Sequence, residues 1–280
     1  MLRVLKGQPS TLSVPRDTKP TSATVTITRD RDATSIASAA SCNVEADRVT
    51  YSLAAQSTVS SLTAVFTIVD PQGTSTVTLP VQVVGNRTAS IGDCRRLRPL
   101  DDVNRYPDEL IEQTITEIED QLEQACGVSF VPVERVGVKY DGSGTDELFT
   151  RHARPQSVSA ISVTDNVVTQ ALTQVDLDAL RIDEEAGVLL RPTYFWQTGR
   201  RNITVTGVFG YSQVPGLVKQ AVVEGVRHSL VESRIDARAQ SITSEDGTAQ
   251  LVTAGVRGAL FSLPALNQVV QMYKQSFGVA

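Results

Sequence analysis

The sequence predicts a multidomain α+β protein: an immunoglobulin-like β-sandwich over residues 1–90, then a helical core over residues 91–280 with an inserted β-rich region. Three observations predict it. Residues 1–90 are rich in Ser, Thr, Val and Ala, and alternate polar with apolar residues without sustained helical periodicity. Three later stretches, about 107–126, 215–232 and 264–277, repeat apolar residues at spacings of three and four, and each opens on a proline. Charge shifts near residue 90, from 8 Lys/Arg and 6 Asp/Glu before it to 18 and 25 after it.

In the first ninety residues, Ala23–Thr28, Val49–Leu53 and Leu62–Val69 read as half-buried strands. Asp70-Pro71-Gln72-Gly73 is a turn, and Thr74–Val84 is its return strand. Short strands with turns between them suggest a small sandwich. The name immunoglobulin-like describes shape only, because no Cys…Trp…Cys framework is present. Residues 85–98 read as a connector. Its basic cluster, Arg95, Arg96 and Arg98, is either solvated or paired with an acidic surface.

Pro107 to Cys126 is the first helix, with Pro107 placed at its first position and Gly127 as its stop. Ile111, Ile115, Ile118, Leu122 and Ala125 form its apolar face. Glu112, Glu117, Glu119, Asp120 and Glu123 are expected to point outward, and no Lys or Arg relieves them. That face is solvated, meets something basic, or repels something acidic.

The β-rich region 131–210 follows. Asp141-Gly142-Ser143-Gly144 reads as a hairpin turn between Val131–Tyr140 and Glu147–Phe149. Val158–Val163, Val175–Ile182, Val188–Leu190 and Asn202–Phe209 complete the expected strands. The second helix opens at Pro215, with Val218, Ala221, Val222, Gly225, Val226 and Leu230 as its stripe. Arg234–Val256 is a loop or a β-hairpin. The last helix, Pro264–Phe277, carries Leu266, Val269, Val270, Tyr273 and Phe277 on one face.

Composition narrows the chemistry. A hydrophobic content of 41% with 20% charge suits a soluble globular chain. A net charge of −5 argues against a general nucleic-acid binder. No apolar run spans a membrane, no membrane partner is expected, and the N-terminal ten residues lack the apolar core of a signal peptide. Three scattered cysteines fit a reducing compartment. No GxGxxG, Walker A, GxSxG, HExxH or CxxC occurs, so no cofactor, metal or catalytic set is nominated. Asp141–Asp146 lacks the spacing of a calcium loop. His152 and His228 read as surface or structural residues, and Trp196 as a core anchor or a partner-facing hot spot.

Tyr106-Pro107-Asp108-Glu109-Leu110-Ile111-Glu112, followed by Cys126-Gly127-Val128-Ser129-Phe130, resembles the opening helix of the head-to-tail adaptor (head-completion, connector) proteins of tailed bacteriophages. The order that follows is similar too: Asp141–Gly144, Val158–Val163, Gly187-Val188-Leu189, Trp196 before Gly199, Thr204–Thr206, Phe209-Gly210-Tyr211 and Pro215. The likeness covers roughly residues 97–280. The sandwich departs from the shortest, mostly helical members and resembles the extra β domain of longer adaptors in phages of actinobacteria.

The resemblance implies a non-enzymatic virion protein of the head–tail neck, assembled in the host cytoplasm. Such adaptors form a twelve-fold ring beneath the portal, extend the DNA channel and offer a platform to a stopper or other neck protein. DNA passes through without specific binding. The C-terminal helix reaches the portal, which nominates Leu266, Val269, Val270, Tyr273 and Phe277 for docking. Glu112, Glu119 and Glu123 are nominated for the channel or a subunit interface. A stopper or tail-completion protein, a carbohydrate- or surface-binding β module and a cryptic hydrolase remain alternatives.

Overall fold

The computed structural model describes residues 2–150, 154–165, 168–231, 241–244, 247–250, 261 and 263–274. The N-terminal part runs β1 (Leu2–Leu5), β2 (Ser10–Pro15), β3 (Ser22–Arg29), β4 (Ser35–Ser41), β5 (Asn43–Val44), β6 (Arg48–Leu53), β7 (Ser60–Asp70) and β8 (Gly73–Val84). Helices α1 (Ile91–Arg95) and α2 (Asp108–Cys126) follow. Next come β9 (Val133–Gly142), β10 (Glu147–Phe149), β11 (Pro155–Asp165), β12 (Val168–Ala171), α3 (Gln174–Asp178), β13 (Arg181–Asp183), β14 (Val188–Leu190) and β15 (Gly199–Phe209). The chain then forms α4 (Gly216–Leu230), β16 (Ser241–Ser244), β17 (Gly247–Gln250) and α5 (Pro264–Tyr273). The class is mixed α+β, as expected.

Contacts divide the chain into two compact units, and neither is continuous in sequence. One joins Met1–Arg87 to Val131–Ser212; the other joins Thr88–Phe130 to Gln213–Ala280.

In the first unit, β1–β8 build a five-stranded sheet, ordered β1-β8-β7-β3-β4, and a three-stranded sheet, β2-β6-β5. Strict alternation along β7 turns Leu62, Ala64, Phe66 and Ile68 inward. They share one core with Leu12 and Val14 of β2 and Val49 and Leu53 of β6, so the two sheets enclose it between them. The expected β7–β8 hairpin is present, with Asp70 paired to Gly73 across Pro71-Gln72. The sequence reading had no place for β1, which pairs in parallel with β8, Leu2 opposite Val81.

The same unit contains a four-stranded sheet, β12-β11-β15-β9, and a three-stranded one, β10-β14-β13. Two expectations are corrected here. Residues 141–146 do not close a hairpin, because β10 pairs with β14 while β9 pairs with β15. The turn instead carries the chain from one sheet to the other. Residues 175–182 are not one strand. Thr173 Oγ1 accepts from the Asp176 N–H at 3.3 Å, and the Asp176 carboxylate accepts from the Thr173 N–H at 3.1 Å. That reciprocal cap starts α3, and only Arg181–Asp183 is extended.

Strand β9 is tied to the N-terminal sheets by a buried carboxylate. Glu134 accepts from the Ser61 N–H at 2.9 Å and from Arg31 Nη1 at 3.3 Å. Its own backbone carbonyl accepts from Gln82 Nε2 at 3.4 Å.

The second unit is a helical bundle, in which α2, α4 and α5 pack pairwise and α1 packs on α2 and α4. Helix α2 begins one residue later than expected. Pro107 has extended ψ 154 and is the N-cap. Gly127 ends the helix in the left-handed conformation, φ 73, and returns its N–H to the Glu123 carbonyl. Helix α4 likewise has Pro215 as N-cap, and α5 stops at Tyr273. The described part of the 234–256 segment is the hairpin β16–β17.

Candidate functional site

The acidic helix and the last helix were the two surfaces nominated by sequence, and the bundle places them within one unit. The outward face of α2 holds Glu109, Glu112 and Glu117, all exposed, with Asp120 half-buried beside them. Glu119 is corrected. It is 1% exposed and faces the interior, where its Oε1 accepts from both the N–H (2.9 Å) and the hydroxyl of Thr88. A carboxylate buried with donors in place is tolerated, so the charge has moved inside to satisfy an otherwise orphaned turn. Glu123 is half-buried and accepts from Ser129 Oγ at 2.6 Å, which fastens the segment after the helix. Of the three nominated glutamates, only Glu112 is fully outward.

Most of the stripe nominated for docking on α5 faces the interior of the bundle. Leu266, Val269 and Val270 are buried in the bundle, at 6%, 0% and 6% exposure. Tyr273 meets Phe130 edge to face, with ring centroids 5.4 Å apart. These side chains are used by the chain's own core, because α5 has α2 and α4 to cover. Phe277 lies outside the described residues. The surface that α5 presents outward is formed by Gln268, Gln271 and Met272, the last 64% exposed.

The arginine cluster resolves toward pairing. Arg95 Nη2 lies 2.5 Å from Asp108 Oδ1 and donates to the Tyr106 carbonyl at 2.8 Å, while Nη1 donates to the Leu100 carbonyl at 2.6 Å. One guanidinium thus holds the 97–106 loop against the N-terminus of α2. Arg96 makes a looser exposed pair with Asp93, at 3.6 Å. Asp93 itself sits 2.8 Å from Lys219 Nζ on α4. That ammonium, together with the Ser90 cap, pulls its carboxyl down to about 2.

Trp196 is the core anchor, fully buried, with Nε1 donating to the carbonyls of Asp146 (3.0 Å) and Leu189 (3.2 Å). Its neighbours Tyr194 and Phe195 turn outward, 57% and 74% exposed. Arg191 lies over the rings of Tyr194 and Trp196 and pairs with Asp176 at 3.5 Å. The aromatic triplet is therefore split, with one ring holding the loop and two presented to solvent.

Among the described residues no group of three or more His, Cys, Asp or Glu could hold a metal ion. His228 is exposed on α4, and His152 lies outside the described residues. Cys94 and Cys126 are buried free thiols pushed up to about 11 by desolvation, which makes them poor nucleophiles. Among the described residues no helix is long and apolar enough to cross a membrane.

No protein-family model matches the chain, and no curated protein matches it. Among solved structures it is similar to a chain described as the neck of an empty GTA particle computed with C6 symmetry. The identity is 14%, the match covers 47% of this chain and 71% of that one, and the TM-score is 0.33. A likeness at that level carries no argument about what this chain does.

Proposed function

We propose that this protein is a structural component of a phage-like neck, a head-to-tail adaptor that forms a ring below the portal, extends the DNA channel and receives the next neck protein. The residue pattern from Tyr106 to Pro215 carries the resemblance. The structural observation that supports it most is the make-up of the second unit. Helices from both sides of the inserted β region pack as one bundle, although residues 131–212 separate them in sequence. A helical core with a β-rich insertion is the arrangement that the resemblance implies. The N-terminal two-sheet part is then the appended immunoglobulin-like domain.

Charge supports the same reading. The two segments of the β unit hold 16 basic and 16 acidic residues, whereas those of the helical unit hold 10 and 15, so the net −5 lies in the helical unit. An acidic surface suits a passage along which DNA slides, because like charge keeps it from adhering. A ring requires one surface to meet a different surface of the next copy. The outward face of α2, with Glu112 and Glu117, is the candidate for the channel or that boundary. Docking on the portal falls to the outward face of α5 and the segments beside it, since Leu266, Val269 and Val270 are interior.

The test is an image of the purified protein mixed with its cognate portal. An added ring of density coaxial with the portal supports the adaptor reading. Binding only after another neck protein is added assigns a stopper role instead. Binding to glycans without any portal complex assigns a surface-binding module.

A further inference from the structure

A cavity of about 340 Å³ lies on the β12-β11-β15-β9 sheet, beside the start of β15. Lys139, Arg200 and Arg201 line it, together with the hydroxyl residues Thr198 and Thr204 and a single acid, Asp165. None of the three cations is in an ion pair among the described residues, and all three are exposed. The remaining lining is polar. Such a surface gathers positive charge and hydroxyl residues around one cavity, in a chain that is acidic as a whole.

The loop that carries the arginines is built and strained. Arg201 holds φ 52, a left-handed conformation that a long side chain rarely adopts. Its N–H is held there by Asp141 Oδ1 at 2.6 Å. Asn202 accepts from the Gly142 N–H at 2.9 Å and donates to the Gln197 carbonyl at 2.8 Å, clamping both sides of the loop. Gly142 must be glycine, because a Cβ there would run into the Gln197 carbonyl. The β15–β9 register also shifts between Gly199 and Ile203, a bulge that re-aims the residues between them. Strain of this kind persists where the surrounding structure fixes the position of a side chain. Here it places two consecutive arginines beside Lys139 on one cavity.

We infer that this cavity binds phosphate groups, and that its ligand is the phosphodiester backbone of a nucleic acid. Guanidinium forks, an ammonium and threonine hydroxyls together match the oxygens of a phosphate. The exposure of the cations and the shallow, solvent-facing site suit a phosphate still carried on a polymer, where a free anion would be engulfed. Contact of this kind positions a strand without reading its sequence. The inference rests on residues of the β module alone, so it stands or falls separately from the neck reading.

The test uses the full chain and a short fluorescent DNA duplex, with anisotropy followed against salt. Engagement of three charges at a slope of about −0.9 per phosphate predicts that affinity falls roughly 40-fold between about 50 and 200 mM salt. The variant Lys139→Gln/Arg200→Gln/Arg201→Asn should lose at least tenfold in affinity and most of that slope; asparagine is chosen because it tolerates the left-handed backbone. Since Arg201 sits in the strained turn, the pair Lys139→Glu/Arg200→Glu, both exposed and on ordinary backbone, repeats the test without touching it. Melting curves confirm that each variant is folded. Duplex binding that is unchanged in both variants overturns the inference. So does equal competition by polyglutamate of matched charge. Thermal protection of the wild type by inorganic phosphate without any duplex binding assigns the cavity to a free anion and overturns the nucleic-acid ligand.

Discussion

At Glu119 a charged residue occupies a position where α2 buries its apolar stripe. It follows Ile115 by four residues and precedes Leu122 by three, so helical spacing alone puts it on the inward face. Helical spacing carries this inward placement against the usual tendency of carboxylates to face water, whereas the Thr88 partner, 31 residues upstream, has no local sign. Glu119→Ala leaves a buried Thr88 N–H without its acceptor and should cost about 1–3 kcal/mol in chemical denaturation. The exposed Glu117→Ala on the same helix should shift stability by less than about 0.5 kcal/mol. Equal effects from the two would return Glu119 to the surface. Asp93 gives a pH-dependent counterpart. Its folded carboxyl is held near 2 by Lys219 and the Ser90 cap, below the ordinary value of 3.8. The stability it contributes is therefore complete above about pH 4 to 5 and lost as pH falls through 3.8 toward 2. Lys219→Gln should lower stability at neutral pH and flatten its loss between about pH 5 and 2, because the folded carboxyl then titrates closer to 3.8. An unaltered acid limb would mean that the ion pair contributes nothing.

Among the elements, long periodic segments were legible and non-local ones were not. The ends of α2 fall within one residue of the sequence reading because proline and a left-handed glycine mark them chemically. Strands β3, β6, β7 and β8 were visible through alternation. Strand β1 was not, since its partner β8 lies some eighty residues away and parallel pairing leaves no turn to read. Helix α3 was missed because β-branched Val175 suggested a strand while Thr173 and Asp176 together made a cap. The apolar stripe of α5 is legible from its spacing, and Leu266, Val269 and Val270 are buried in the bundle with α2 and α4. The junction of the three helices is Gly225 on α4. A Cβ there would meet Ile118 Cδ1 of α2 at 3.0 Å and Leu266 Cδ1 of α5 at 3.6 Å. Gly225→Ala asks only a side-chain end to shift and gains helix propensity, so its effect should be within about 1 kcal/mol. Gly225→Leu overpacks the junction and should cost 1–3 kcal/mol or more, about the range for inserted methylenes. Thermal melts of the two variants check this, and a tolerated leucine would show that the helices are not close-packed there.

For the molecule as a whole, contacts group the chain into two compact units built from interleaved segments. The composition break near Gly85 is real, but contacts group the first 87 residues with 131–212 through links such as Glu134 to Ser61 and Arg31. Residues 1–90 expressed alone should still give a β-type far-UV spectrum, since their own core is complete in two sheets. The tie between β9 and the N-terminal sheets is tested by Glu134→Gln in the full chain. It removes the carboxylate that Arg31 meets in a buried setting and should lower the melting temperature by several degrees. A helical or random-coil spectrum from the fragment would end the idea of a self-sufficient sandwich. A ring of this chain on a portal is tested most directly by the mass of the complex. Native mass spectrometry of the portal alone and after mixing with excess protein should show a gain of twelve copies of the 30.2 kDa chain. A portal whose mass is unchanged by the mixture, with the chain still monomeric, would contradict the account.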